Sequence, residues 1–316
     1  MRGYEKEIIK LQLNDEKEII EKLKELYSQS LDDIEVYIQE LLARYDATQL
    51  QSIIYQLDYQ KALKTQISGI LDILQANEYE VISDYLAQCY ETSFIGTMYS
   101  LNEQGIPLII PIDQEQVINA IVHESKISKG LYEALGFDIK DLKKKISSEV
   151  SRGIANGFSY SDIARNLRNT SKIGINNAVR IARTEGHRVQ AQSQLDACHK
   201  AKKKGANVVK QWDATLDGRT RRNHRKLHGQ VRELDEPFEV NGKKAQAPSK
   251  FGRPEEDINC RCVILQRAKW GLDEEELKKL EEDAKFFGID KTKDLEEFKK
   301  KYLKATKGWL NDNNSS

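Results

Sequence analysis

From Trp212 to Gln230 the sequence reads WDATLDGRTRRNHRKLHGQ, and from Ile258 to Cys262 it reads INCRC. His224 and His228 stand at i and i+4, which on a helix puts both rings on one face, and Cys260 and Cys262 add two thiols. Two imidazoles and two thiolates could satisfy tetrahedral zinc. The Cys-x-Cys spacing weighs against it, being tighter than the usual knuckle. In a regular strand its side chains would also point to opposite faces, so one thiol could bind while the other packs inward. The competing reading makes both cysteines small buried hydrophobes at a strand start, and the spacing favours it. Zinc is thus an open expectation on His224, Cys260 and Cys262.

A metal-dependent nuclease or toxin-like domain needs a histidine to activate water and a metal held by further His, Asp or Asn side chains. Asp213, Asp217, Asn223, His224 and Asn259 supply those residue types. No ββα spacing organises them and no motif fixes a pair of carboxylates, so the sequence reads as a non-enzyme. The run RTRRNHRK is the strongest local feature for phosphate, with KKK at 202–204 and KK at 243–244 behind it. Arg219, Arg221, Arg222, Arg225 and Lys226 could contact a double-stranded DNA backbone in a salt-sensitive, sequence-neutral way. Only Trp212 and Phe238 lie near as aromatics, which gives stacking on single strands little support. The alternative is a solvated helix face whose arginines pair with Glu233, Asp235 and Glu236. In ARTEGHR, Arg183, Glu185 and Arg188 share one helix, and an ion pair is the simplest account of them. The phosphate-cradling and nucleophile-elbow motifs GxxxxGK[ST], GxGxxG and GxSxG are absent.

These residues need elements to hold them. Residues 1–104 read as a helical N-terminal region, with Leu31, Ile34, Tyr37, Ile38, Leu41 and Leu42 on one stripe. Asp46 or Thr48 could cap a second helix, and another is expected from Glu78 to about Thr97. No proline occurs before Pro107, which fits an uninterrupted bundle or elongated hairpin. Residues 105–112 read as a linker, with Asp113 as N-cap of the next helix. Residues 113–204 read as a helical segment with turns at Gly130, Gly136–Phe137 and Asn156–Gly157, its last helix running from Ile175 to Lys204 with Gly205 as C′. Residues 205–267 read as a small basic α+β unit. In it NVVKQWDA, QVREL, PFEV and CRCVILQ are strands, Asp217 caps a short helix holding Thr220 to His228, and NGKKAQAPSKFGRPEED is a loop. Residues 268–316 read as a charged helical tail, frayed at NDNNSS. The fold class expected is mainly α: an elongated helical region, a small α+β domain and a helical tail.

Charge is balanced overall, with 50 basic and 50 acidic residues, but unevenly spread. Residues 1–120 carry 9 Lys/Arg against 21 Asp/Glu, whereas 121–250 carry 27 against 14. That asymmetry suits a charged partner such as nucleic acid or an acidic protein surface, or two halves that neutralise each other. Four cysteines do not make a secreted disulfide scaffold, no apolar segment follows Met1, and no run is long enough to span a membrane.

Taken in order, IARTEGHRVQAQSQLDA, WDATLDGRTRRNHRKLHGQ, PFEV and INCRCVIL resemble the C-terminal domain of phage minor head proteins, the Mu F-like head-morphogenesis family. The resemblance covers roughly residues 145–267. It carries the family's signature onto Arg183, Thr184, Glu185, Trp212, Asp217, Arg219, Thr220, Arg221, His224, Gly229, Asn259, Cys260 and Cys262; His228 falls where the pattern asks for no histidine. The resemblance implies a low-copy structural protein of tailed-phage heads, made in the host cytoplasm beside the portal protein and bound to it during assembly. It further implies a place inside the virion near the portal, contact with scaffold or major capsid protein, and an association with packaged or ejected DNA. No catalytic role for the signature residues is implied.

Overall fold

The computed structural model describes residues 1–44, 57–122, 131–269 and 274–313. Long helices dominate it: α1 (Gly3–Arg44), α2 (Leu57–Asn102), α3 (Gln114–Val122), α4 (Leu131–Ala155) and α5 (Tyr160–Lys203). There follow β1 (Val208–Asp213), α6 (Arg222–Leu227), β2 (Val231–Glu233), β3 (Phe238–Val240), β4 (Lys243–Ala245), α7 (Pro254–Asp257) and β5 (Val263–Ala268). Helices α8 (Glu274–Phe287) and α9 (Leu295–Asn313) close the chain. The protein is mainly α, with a long N-terminal helical region, small sheets and C-terminal helices. The expected cap at Asp46 or Thr48 and turn at Gly130 lie outside the described residues.

The elements gather into two compact units, each discontinuous in sequence. One comprises Lys17–Asp84 and Ser128–Ala182. Its core is built from stripes at three- and four-residue spacing: Leu23, Tyr27, Ile34 and Ile38 from α1, Leu63, Ile67, Leu71 and Leu74 from α2, Leu142 and Ile146 from α4. Each such aliphatic side chain contributes about 1.5–3 kcal/mol on burial, enough to override local signals for a break. Helix α2 accordingly runs unbroken through Glu78, where a new helix start was expected, and α4 runs through the expected turn at Gly136. Helix α5 likewise begins at Tyr160, well before Ile175. Its Gly174 is retained for space, since a Cβ there would meet the Tyr27 ring at 2.7 Å. Glu78 is buried in this core and accepts a hydrogen bond from the Tyr27 hydroxyl at 3.3 Å.

The other unit comprises Met1–Glu16, Tyr85–Ile127 and Arg183–Ser316. Here the end of α2 is buried on nearly every side, and Gly96 admits Ile8, whose side chain would lie 2.9 Å from an added Cβ. Beyond α2 the chain is extended, burying Ile106, Pro107, Leu108 and Ile110. The Tyr302 hydroxyl of α9 donates to the Ile110 carbonyl at 2.6 Å and accepts from its amide at 2.9 Å, tying the tail helix down. Asp113 does cap α3, its Oδ1 accepting the Glu115 amide at 3.0 Å. Helix α5 ends as expected at Gly205 (φ 90°), with the Ala206 amide reaching the Ala201 carbonyl at 3.1 Å.

The α+β region holds an antiparallel sheet in the order β2-β1-β5 and a β3-β4 hairpin. Trp212 pairs with Ile264 and Asp213 with Val263 in the β1-β5 register. Trp212, Leu227, Phe238, Val240, Cys260 and Cys262 form the local core. Lys210 is buried in β1, and its ammonium donates to the carbonyls of Leu234 (2.7 Å) and Gln246 (2.9 Å) and to Gln246 Oε1 (2.9 Å). One side chain thereby fastens two loops to the central strand. The stretch NGKKAQAPSKFGRPEED, expected as loop throughout, contains β4 and α7.

Candidate functional site

The signature blocks meet within the second of these units. From α5, Thr184 accepts the Asn259 amide at 3.3 Å, fixing a residue that holds a left-handed φ of 54°. Asparagine tolerates that conformation better than most side chains. The turn it makes, closed by the Cys260 amide on the Asp257 carbonyl at 3.1 Å, re-aims the chain before β5 begins. Glu185 and Arg188 form the expected intrahelical ion pair at 2.7 Å, both buried. Arg183 pairs with Glu16 of α1 at 2.7 Å, and His187 lies 3.7 Å from the same carboxylate. His187 first, and Arg183 with it, hold the Glu16 carboxyl below its ordinary range against the opposing effect of burial.

Asp217 was expected to cap the short helix; it instead organises the loop before it. The N-cap position falls to Arg221, with no side-chain cap. Asp217 accepts both guanidinium arms of Arg261 (2.6 and 2.7 Å), the Arg219 amide (2.9 Å) and the Thr220 hydroxyl (3.1 Å). The bidentate arginine holds its carboxyl well below the usual carboxylate range. Gly229, at φ 81°, turns the chain from α6 into β2 while its amide binds the Trp212 carbonyl at 2.8 Å.

Arginines from three blocks face one cavity of about 730 Å³: Arg183, Arg219, Arg221 and Arg261, with Asn259 and Cys260 beside them. The five cations expected to bind DNA are used unequally. Arg221 donates to the Ile258 carbonyl. Arg225 donates to the Thr220 (3.1 Å) and Asp217 (2.6 Å) carbonyls, and Lys226 reaches Asn241 at 3.4 Å. Arg219, on the cavity wall, and Arg222, exposed on α6, are the ones best placed to meet an outside anion. Two of the three acidic partners expected for this run, Glu233 and Asp235, are engaged elsewhere. Glu233 pairs with Lys269, and Asp235 lies 3.6 Å from Lys202 and 3.7 Å from His199.

His224, Cys260 and Cys262 come together and are buried, their donor atoms within 4.8 Å of one another. His224 Nδ1 lies 3.3 Å from Cys262 Sγ and 3.6 Å from Cys260 Sγ. The objection from strand alternation does not apply, because both cysteines precede β5 and the turn at Asn259 brings both sulfurs to one side. The other ring nitrogen, Nε2, faces Glu256 Oε2 at 3.2 Å. Trp212 stands edge-on to the imidazole, ring centres 5.7 Å apart, and Phe251 stacks on it at 5.8 Å. His228 faces elsewhere: its Nδ1 accepts the Ala214 amide at 3.1 Å and lies 3.6 Å from Asp213. A four-ligand set including His228 is therefore not assembled.

Sequence reasoning missed Glu256 and Asp257, in the stretch read as loop, and took Lys243 only as a candidate for phosphate. Lys243 and Asn223 bind the Glu256 carboxylate at 2.6 and 2.7 Å. Burial pushes that carboxyl up, but these donors outweigh it and leave it below its ordinary value. Asp257 accepts the amides of Phe251 and Arg253, both at 3.0 Å, and so shapes the loop that presents Glu256. The acidic PEED at 254–257 was the available signal. Of the residues proposed on paper for a nuclease, Asp217 is occupied by Arg261, Asn223 by Glu256, and Asp213 faces His228, while Asn259 lines the small cavity beside His224.

Residues 144–265, about two fifths of the chain, match the family described as Phage Mu protein F like protein. It is 26% identical over 255 residues to Minor head protein GP7 of Bacillus phage SPP1, covering 77% of this chain and 80% of GP7. It is 30% identical over 275 residues to NAD(+)--arginine ADP-ribosyltransferase EFV of Enterococcus faecalis (strain ATCC 700802 / V583). That match takes in 84% of this chain but only 55% of the transferase, so the chain spans about half of that relative's length. No solved structure matches the chain.

Proposed function

We propose that this protein is a minor head component of a tailed phage or prophage, acting in head morphogenesis inside the particle near the portal. The similarity to a minor head protein along 80% of that protein's length carries this reading. We assign the portal protein as its principal partner, with scaffold or major capsid protein as further neighbours in the assembling head. The acidic, amphipathic helices of the N-terminal region suit docking on a protein surface. The arginine-lined cavity and exposed Arg222 suit proximity to packaged or ejected double-stranded DNA. The role is structural rather than enzymatic. In support, Asp217 serves as a hydrogen-bond anchor for Arg261, and Glu256, beside His224, for Lys243 and Asn223. The test is quantitative mass spectrometry of purified particles and proheads with cross-linking. A few copies per head cross-linked to portal support the reading, and absence from both particle forms overturns it.

A further inference from the structure

We infer that His224, Cys260 and Cys262 bind one zinc ion through His224 Nδ1 and the two sulfurs, with Glu256 as the outer partner of the histidine. The spacing of the donors carries the inference. Around tetrahedral zinc, with bonds of about 2.3 Å to sulfur and 2.0–2.1 Å to nitrogen, a sulfur and a nitrogen ligand stand about 3.6 Å apart. The observed Nδ1–Sγ separations are 3.3 and 3.6 Å. Three donors already sit close to where a metal would hold them.

The surroundings fit the same ion. Zinc-bound histidines almost always give their other ring nitrogen to a carboxylate or carbonyl, which fixes the tautomer and raises ligand basicity. Glu256 occupies that position, 3.2 Å from Nε2, and is itself braced by Lys243 and Asn223. Charge also balances: binding releases one proton from each thiol, and zinc with two thiolates and a neutral imidazole carries no net charge. Lys243 offsets Glu256 behind it, so no bare charge is buried among Trp212, Phe238 and Phe251. A cavity of about 20 Å³ beside His224 and Cys262, lined also by Thr215, Thr220, Asn259, Arg219, Arg221 and Arg261, has room for one water as fourth ligand. The ion would join α6 to the segment before β5, in a region whose strands of three to six residues give a small core.

The experiment uses the full chain, purified with a reductant and no chelator, with metal content read by elemental analysis and native mass spectrometry. One zinc per chain is expected. Cobalt(II) titration of the metal-stripped protein should give the visible absorption of a tetrahedral site and the near-ultraviolet band of thiolate ligation. Cys260→Ser, Cys262→Ser and His224→Ala should each abolish stoichiometric binding, whereas His228→Ala should keep it. Glu256→Gln should weaken affinity by about 10- to 100-fold. The cobalt spectrum of the unmutated chain decides the matter even where a variant fails to fold. Reduced, folded protein that takes up neither zinc nor cobalt overturns the inference. So does a Cys260–Cys262 disulfide in protein purified without oxidant, or zinc binding unchanged in both serine variants.

Discussion

Glu78 offers a quantitative test of how the helical unit is held together. Its carboxyl is 1% exposed, and burial raises its pKa from 4.5 to about 8 although the Tyr27 hydroxyl donates to it. The unfolded chain therefore releases this proton at lower pH than the folded chain. Below pH ~4.5 both states are protonated and the group costs nothing; as pH rises towards about 8, stability falls, and above that the loss is constant. A shift of about 3.5 units at about 1.4 kcal/mol each amounts to a loss on the order of 5 kcal/mol, of which about 4 accrues between pH ~5 and ~8.5. Glu78→Gln keeps the size of the side chain and an acceptor for Tyr27 while removing the ionisation. Urea unfolding followed by circular dichroism should thus show the variant gaining on the native chain by about 4 kcal/mol over that interval, with the two close at pH ~5. Trp212 belongs to the other unit, so its fluorescence reports on the unfolding of that unit rather than of the helical one. Parallel pH profiles for the two proteins would refute the reasoning.

Three further outcomes are expected. Lys210→Met strands three acceptors in the α+β core, and tryptophan-detected unfolding should show a loss on the order of 3 kcal/mol; a loss under about 1 would contradict the clamp. Glu185→Gln leaves Arg188 buried beside a neutral partner and should cost about 3–5 kcal/mol by the same assay, so a variant of native stability would show that the pair is not needed. Replacing Arg219 and Arg222 by glutamate should weaken binding to double-stranded DNA and shrink the slope of log affinity against log salt by about 2. An unchanged slope would remove these residues from any DNA-facing surface.

Much of the architecture was readable along the chain because it rests on local periodicity. The helical stripe from Leu31, the strand at Trp212 and the Gly205 cap each follow from spacing within one element. Errors came where tertiary burial outweighed local signals. Gly136 was read as a turn, yet a glycine costs only about 1 kcal/mol inside a helix, which a well-buried face outweighs. The site was half legible. His224, Cys260 and Cys262 could be named, but the objection to them assumed a regular strand, and a left-handed turn at Asn259 is a backbone event that residue spacing does not announce. Glu256 and its pairing with Lys243 went unseen because Glu256 meets His224, Asn223 and Lys243 only through tertiary folding of what reads as a polar loop.

The central claim is that this chain is built into phage heads, and the most direct measurement is its copy number in purified particles, with cross-links to its neighbours. A few copies per particle are expected, cross-linked to portal through the N-terminal helical region. A chain that is expressed during infection or induction yet absent from both proheads and finished particles would contradict it.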